Sequence, residues 1–241
     1  MRLDKAVAMT GVSRKQAKAL LSRGAVTVNG KVSTDGAAIL SAGDEVLVNG
    51  QRVDLSPHRH IMMNKPAGVL TATSDARGED TVMDLLPENM RFKDLGPVGR
   101  LDRDVTGLIL LTTDGELAHR LISPKRGIEK RYTALCEGRL DESDVLMFEQ
   151  GLELSDFTAK PARLEILDAK DDQSLCRVYV SEGKFHQVKR MLLSVGHPVL
   201  RLRRDSIAGL MLDQSLTEGQ FRFLTPEETD LLYERAGLEK P

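Results

Sequence analysis

An α+β fold in two units is predicted for this chain of 241 residues by three features. Short apolar or alternating runs recur along it, punctuated by helical patterns, without the regular alternation of strand and helix that builds a parallel sheet. Two Asn-Gly pairs, Asn29-Gly30 and Asn49-Gly50, directly follow strand-like runs and signal tight hairpins. A polar stretch from Val53 to His60, carrying Pro57, reads as a linker and divides residues 1–58 from residues 59–241. The two parts differ in charge. Residues 1–58 hold eight Lys/Arg against five Asp/Glu, a balance of +3; the whole chain is −2, which leaves −5 for the remainder. A basic small unit joined to an acidic larger one points to nucleic acid gripped at particular patches.

In the small unit, Leu3, Ala6 and Val7 share one face of a short amphipathic helix. Ser13 with Gln16 three residues on is a capping-box pattern, and Gly24 stands where a second helix ends after about Arg23. Ala17, Leu20 and Leu21 form the apolar face of that helix; Arg14, Lys15 and Lys18 lie on its exposed side near the N-terminal half, which itself attracts phosphate. Strands are expected at Ala25–Val28 and Asp44–Val48. His58 and His60 are expected as solvated linker residues.

In the larger unit, Ile61–Met63 reads as a strand, Asn64 to Gly68 as a tight turn, Val69–Thr73 as a further strand, and Thr81–Leu86 as a short helix stopped by Pro87. Leu108–Thr112 is a short buried strand closed by Thr113-Asp114-Gly115. Helices are expected over 116–122, 140–151 and 185–195. Strands are expected over 133–136, 163–167, 176–180 and 199–202, and a terminal helix opens at Thr225-Pro226-Glu227-Glu228, a cap, an N1 proline and a capping-box acid.

The stretch Gly99-Arg100-Leu101-Asp102-Arg103-Asp104-Val105-Thr106-Gly107 organises the rest. It places Asp102 on an irregular loop leading into the core strand, and a polar loop on a rigid strand holds one carboxylate still. The triplet alone marks no site, since Arg2-Leu3-Asp4 repeats it. No Cys/His cluster has zinc spacing, and no Walker loop or dinucleotide fingerprint occurs, so neither metal nor other cofactor is expected. Cys136 and Cys176 fall in apolar-patterned segments and are expected as buried thiols of a cytoplasmic protein. No membrane span and no signal peptide are expected.

Several stretches form one pattern in order: Asn64-Lys65-Pro66-x-Gly68; the loop from Gly99 to Leu108; Glu129-Lys130-x-Tyr132; and Glu182-Gly183-Lys184-Phe185-His186-Gln187-Val188-Lys189-Arg190-Met191. Together they resemble the RsuA/RluB/E/F family of pseudouridine synthases over nearly the whole chain. Residues 1–50, with the RLDK start, SRKQA and GAVTVNGKV, resemble the S4 RNA-binding domain. One departure is Val105, where a threonine is common. The compact length is most similar to members acting on the small ribosomal subunit. The resemblance implies an S4 domain followed by a catalytic domain with a central, mostly antiparallel sheet. It also implies isomerisation of one uridine in 16S ribosomal RNA, within a small-subunit assembly intermediate, by a monomer. Paralogues acting on 23S ribosomal RNA share the motifs, and a non-catalytic S4-type RNA binder is a rival of a different class.

By the same resemblance Asp102 is the catalytic carboxylate. Lys189 is the first choice for the cation that holds it ionised, and Arg190 the adjacent alternative. Tyr132 stacks on the uracil. Arg100 fills the vacated stack or holds a phosphate. Ile207 and Leu210 supply the pocket's apolar wall, and Arg14, Lys15 and Lys18 contact structured RNA.

Overall fold

In the computed structural model, helices start directly after the capping side chains Ser13, Asp114, Asp141 and Thr225. The structure describes every residue except Gly11, Ala42, Asp54, Ser56 and Pro241, and the chain divides into the units Met1–Pro57 and His58–Lys240. In the first unit, α1 (Leu3–Ala8) buries Leu3, Ala6 and Val7, and α2 (Arg14–Ser22) buries Ala17, Leu20 and Leu21. Ser13 accepts from the Gln16 amide, and the Gln16 side chain accepts from the Ser13 amide in return. Strands β1 (Val26–Val28), β2 (Lys31–Val32), β3 (Val46–Val48) and β4 (Gln51–Arg52) form a sheet in the order β2-β1-β3-β4. Its two tight turns are the Asn-Gly pairs. All four residues have positive φ, between 51° and 78°, the geometry that matches the twist of a hairpin.

The second unit is built on β5 (His60–Lys65), β6 (Gly96–Pro97), β7 (Thr106–Thr112), α3 (Gly115–Ile122), β8 (Lys130–Glu137), α4 (Glu142–Gln150), β9 (Leu152–Glu153), β10 (Thr158–Ala159), β11 (Arg163–Ala169), β12 (Gln173–Val180), α5 (Gln187–Ser194), β13 (Val199–Ile207), β14 (Leu210–Met211), β15 (Phe221–Phe223) and α6 (Pro226–Ala236). Its central sheet runs β11-β12-β8-β13-β7-β5-β15, with β14 beside β13 and β6 beside β7. Every pairing is antiparallel except β13 with β7. The larger apolar cluster joins β8, β11, β12 and β13 to α4 and α5 around Phe148, and includes the buried free thiols Cys136 and Cys176. A second cluster packs α3 and α6 against β5 and β7 through Met62, Leu108 and Leu110, and a third buries Ile61, Met63, Ile109 and Leu111 under the chain between β5 and β6. Among the described residues no helix is long and apolar enough to cross a membrane.

Three local expectations are corrected. The polar stretch before the second unit is not a linker as far as His60, although its positions 54 and 56 lie outside the described residues. His60 is 7% exposed and begins β5, where its Nδ1 lies 2.8 Å from the Thr112 hydroxyl. His58 approaches Asp114 at 3.7 Å. Val69–Thr73 is not a strand. Both edges of β5 are taken by β7 and β15, and Leu70 makes a single bridge with Thr81. Thr81–Leu86 forms turns, not a helix, because Asp84 binds both the amide and the hydroxyl of Thr81.

Candidate active site

The loop that carries Asp102 lies where the sheet parts. β7 meets β13 through Thr106 and Gly107, while its far end meets β6 through Leu111 and Thr112. Between those contacts the chain runs from Val98 round to Val105. Gly107 is required at the junction. Its φ is 101°, and a Cβ there would lie 2.3 Å from the Arg204 carbonyl oxygen, so no side chain fits between the strands.

The loop is fastened from below. Leu101 and Val105 are buried in the larger core cluster. The Thr71 hydroxyl donates to the Leu101 carbonyl at 2.9 Å and accepts from the Leu101 amide at 3.2 Å. Lys65 is fully buried, and its ammonium donates to the carbonyls of Pro66, Arg103 and Val105 at 2.9, 3.1 and 3.0 Å. Burial pulls the Lys65 ammonium down to about 8, against the attraction of Asp104 and Asp102. With Leu101 and Val105 pinned, the intervening Asp102 side chain faces outward and is 27% exposed.

Two basic side chains approach Asp102. Lys189 Nζ is 3.3 Å from Oδ2, and His186 Nε2 is 3.4 Å from Oδ1. Both come from the start of α5, where His186 takes a left-handed conformation with φ 50°. The His186 ring stacks on Phe185, which is 74% exposed. Lys189 is shared. It donates to both oxygens of Asp104 at 2.7 and 2.8 Å, and that bond holds the Asp104 carboxyl below the usual carboxylate range. Arg190, expected as the alternative partner, instead pairs with Asp156 and lies over the Phe157 ring, 5.0 Å from its centroid.

A cleft opens above Asp102, lined by Arg100, Tyr132, Glu182, Lys184 and His186, with Leu101, Val105, Val180, Val188 and Leu202 as apolar surface. Arg100 is exposed at this cleft, and Tyr132 is half-buried on β8. Ile207 and Leu210 are not part of the wall. They pack in the second cluster with Leu108, Leu110 and Tyr233, because β13 continues past the cleft to Ile207. In the first unit, Arg14, Lys15 and Lys18 are all exposed on α2.

The sequence reading missed Lys65, Thr71, His186 and Arg204 as supports. Arg204 is 2% exposed beside the cleft, with Nε donating to the Leu108 carbonyl at 2.9 Å. Its one sequence signal is a charge at an inward position of a strand.

A fixed carboxylate beside an aromatic ring, in an open and partly apolar cleft, suits a nucleobase drawn out of its stack. With a separate unit that exposes a basic helix face, this defines an RNA-modifying enzyme. The chain belongs to the RNA pseudouridylate synthase family: residues 59–194 match that family's model, and residues 1–46 match the S4 domain. It is 43% identical to an uncharacterized RNA pseudouridine synthase, YtzG, of Bacillus subtilis (strain 168), covering 97% of this chain and 99% of that one. Its identity to the ribosomal large subunit pseudouridine synthase B of the same organism is 37%, over 96% and 95% of the two chains. It is 38% identical to the ribosomal small subunit pseudouridine synthase A of Escherichia coli (strain K12), over 95% and 98%. A solved structure described as a pseudouridylate synthase matches with a TM-score of 0.67 at 35% identity, covering 96% of this chain and 99% of that one.

Proposed function

We propose that this enzyme converts one uridine of 16S ribosomal RNA to pseudouridine, with Asp102 as the catalytic carboxylate. The observation that carries the assignment is Asp102 on its fastened loop, flanked by Lys189 and His186 at 3.3 and 3.4 Å and opening on the cleft with Tyr132. The reaction breaks the bond from ribose C1′ to N1 and forms a bond from C1′ to C5. The C5 proton leaves and N1 gains one, so atoms and electrons balance without oxidant or hydrolysis. Asp102 acts on the ribose or the base as nucleophile or base. Lys189 offsets its charge, and Tyr132 stacks on the turning uracil. Arg100 holds a phosphate or the space the uridine leaves. Arg14, Lys15 and Lys18 grip structured RNA through phosphates. The enzyme works as a cytoplasmic monomer on a small-subunit assembly intermediate.

The relatives named for the small subunit include the proteins of E. coli and of Vibrio cholerae serotype O1 (strain ATCC 39315 / El Tor Inaba N16961), each 38% identical. A second reading, a uridine of 23S ribosomal RNA, is favoured by the 37% identity to the B. subtilis large-subunit enzyme. Mapping pseudouridine in both RNAs from cells with and without the gene separates them. The proposal expects one 16S position to lose its pseudouridine. A lost 23S position would replace it with the second reading, and no lost position would overturn both.

A further inference from the structure

A second charged surface lies outside the cleft. The end of α3, the turn Pro124–Arg126 and the end of α6 enclose a groove lined by His119, Arg120, Lys125, Arg126 and Arg235, with Glu116 at its side. All these basic residues except Arg120 are exposed, and Arg120 is half-buried. Three parts of the chain converge there on Gly237. Arg120 donates to its carbonyl at 3.4 Å, and a Cβ on Gly237 would lie 2.8 Å from Arg126 Nη1.

Helix C-termini attract cations, so part of this charge is accounted for by α3 and α6. Two helix ends supply together about one elementary negative charge. Arg120 is paired with Glu116 at 2.6 Å. Among the described residues no carboxylate lies within 4.0 Å of Lys125, Arg126 or Arg235. The groove therefore keeps an excess of positive charge in a unit that is acidic as a whole, which is the footprint of a polyanion site.

Its position says which polyanion. Gly99 packs against Ile122, the last residue of α3, so closely that a Cβ on Gly99 would lie 3.0 Å from Ile122 Cγ2. Arg100 and Asp102 follow Gly99, and Ser123 to Arg126 follow Ile122. The groove and the catalytic loop thus adjoin through the contact of Gly99 with Ile122, and Arg100 lines the cleft next to Gly99. We infer that this groove binds backbone phosphates of the substrate RNA next to the nucleotide held over Asp102. The inference rests on the reading of this chain as an RNA-modifying enzyme and adds a place where the RNA leaves the cleft.

The test uses full-length protein with unmodified 16S and 23S transcripts. RNA affinity is measured across a salt titration, and isomerisation by tritium release from C5-labelled uridine. Lys125→Gln/Arg126→Gln/Arg235→Gln removes three exposed charges. Arg139→Gln/Lys170→Gln/Arg201→Gln removes the same charge at the opposite end of the sheet, near the β11–β12 turn. The groove variant should lower the slope of log affinity against log salt by about 2, at roughly 0.7–0.9 for each phosphate no longer neutralised. KM should rise about 10-fold or more, with kcat at saturating RNA retained. Lys125→Arg/Arg126→Lys/Arg235→Lys should keep the wild-type slope. A groove variant that matches wild type, or that matches the distant variant in slope and KM, overturns the inference. Should wild type convert neither RNA while the groove variant still loses its slope, the functional reading falls and the groove stands.

Discussion

Replacing Lys189 by methionine removes a cation from between two carboxylates. Its ammonium lies 3.3 Å from Asp102, with the side chains 22% and 27% exposed. At that distance the attraction is about 1.3 kcal/mol at the dielectric constant of water and about 5 kcal/mol at an effective value near 20. The site is neither fully wet nor dry, so the relevant figure lies between. Asp104 compounds the loss. It lies within reach of the same ammonium, so once Lys189 is gone the two like charges, no more than about 6 Å apart, disfavour one another. Losing that attraction disfavours the charged carboxylate, so the ascending limb of the pH–rate profile should move toward alkaline. The sign follows from the ionised carboxylate being the active form: the rate falls most at low pH and recovers as pH rises. Lys189→Arg should retain more activity, since charge is kept while geometry changes. Arg190→Met should leave the limb in place, because Arg190 pairs with Asp156. Single-turnover tritium release across pH decides. An alkaline displacement in Arg190→Met, or a Lys189→Met profile merely scaled down at every pH, would refute the reasoning.

Lys65→Met should strip the ammonium donor from three carbonyls, of which Arg103's keeps the Gly68 amide and Val105's is buried, and destabilise the fold by about 2–4 kcal/mol in urea denaturation. Burial lowers Lys65 and Lys130 from 10.5 to about 8. Between those values the folded chain holds fewer protons than the unfolded chain, so these groups make stability rise with pH through that window. The gap between wild type and Lys65→Met should therefore widen from pH 8 toward 10.5, and a constant gap would contradict the assignment. Gly107→Ala should cost more than about 3 kcal/mol or prevent folding, because the added methyl meets the Arg204 backbone; a wild-type urea midpoint would show that the strands can separate freely. Neutralising Arg14, Lys15 and Lys18 should weaken RNA affinity and flatten its salt dependence while turnover at saturation persists; an unchanged slope would make that helix face merely solvated.

What could be read from the sequence was local. Ser13 with Gln16, Thr225 with Glu228 and the two Asn-Gly pairs act on neighbours a few residues away, and each stands in the structure as its chemistry requires. The loop before β7 was legible because two glycines and an apolar run bracket Asp102. His60 was not, because its partner Thr112 lies 52 residues on. Val69–Thr73 had strand composition, yet both edges of the preceding strand β5 were already taken by β7 and β15. Lys65 looked like part of a turn. Its burial depends on the carbonyls of Arg103 and Val105, which only the folded loop brings together. Ile207 and Leu210 have the right apolar character for a pocket wall, but the length of β13 decides which core they enter.

The central claim is that the Asp102 carboxylate performs the isomerisation. Asp102→Asn keeps size and hydrogen bonding and removes the charge. Its single-turnover tritium release should fall by about 10⁴-fold or more, while affinity for the RNA stays near wild type because phosphate contacts elsewhere dominate binding. Asp4→Asn, at the exposed repeat of the same triplet where Asp4 pairs with Arg2, should release tritium at the wild-type rate. Substantial turnover by Asp102→Asn, with its RNA binding intact, would contradict the account.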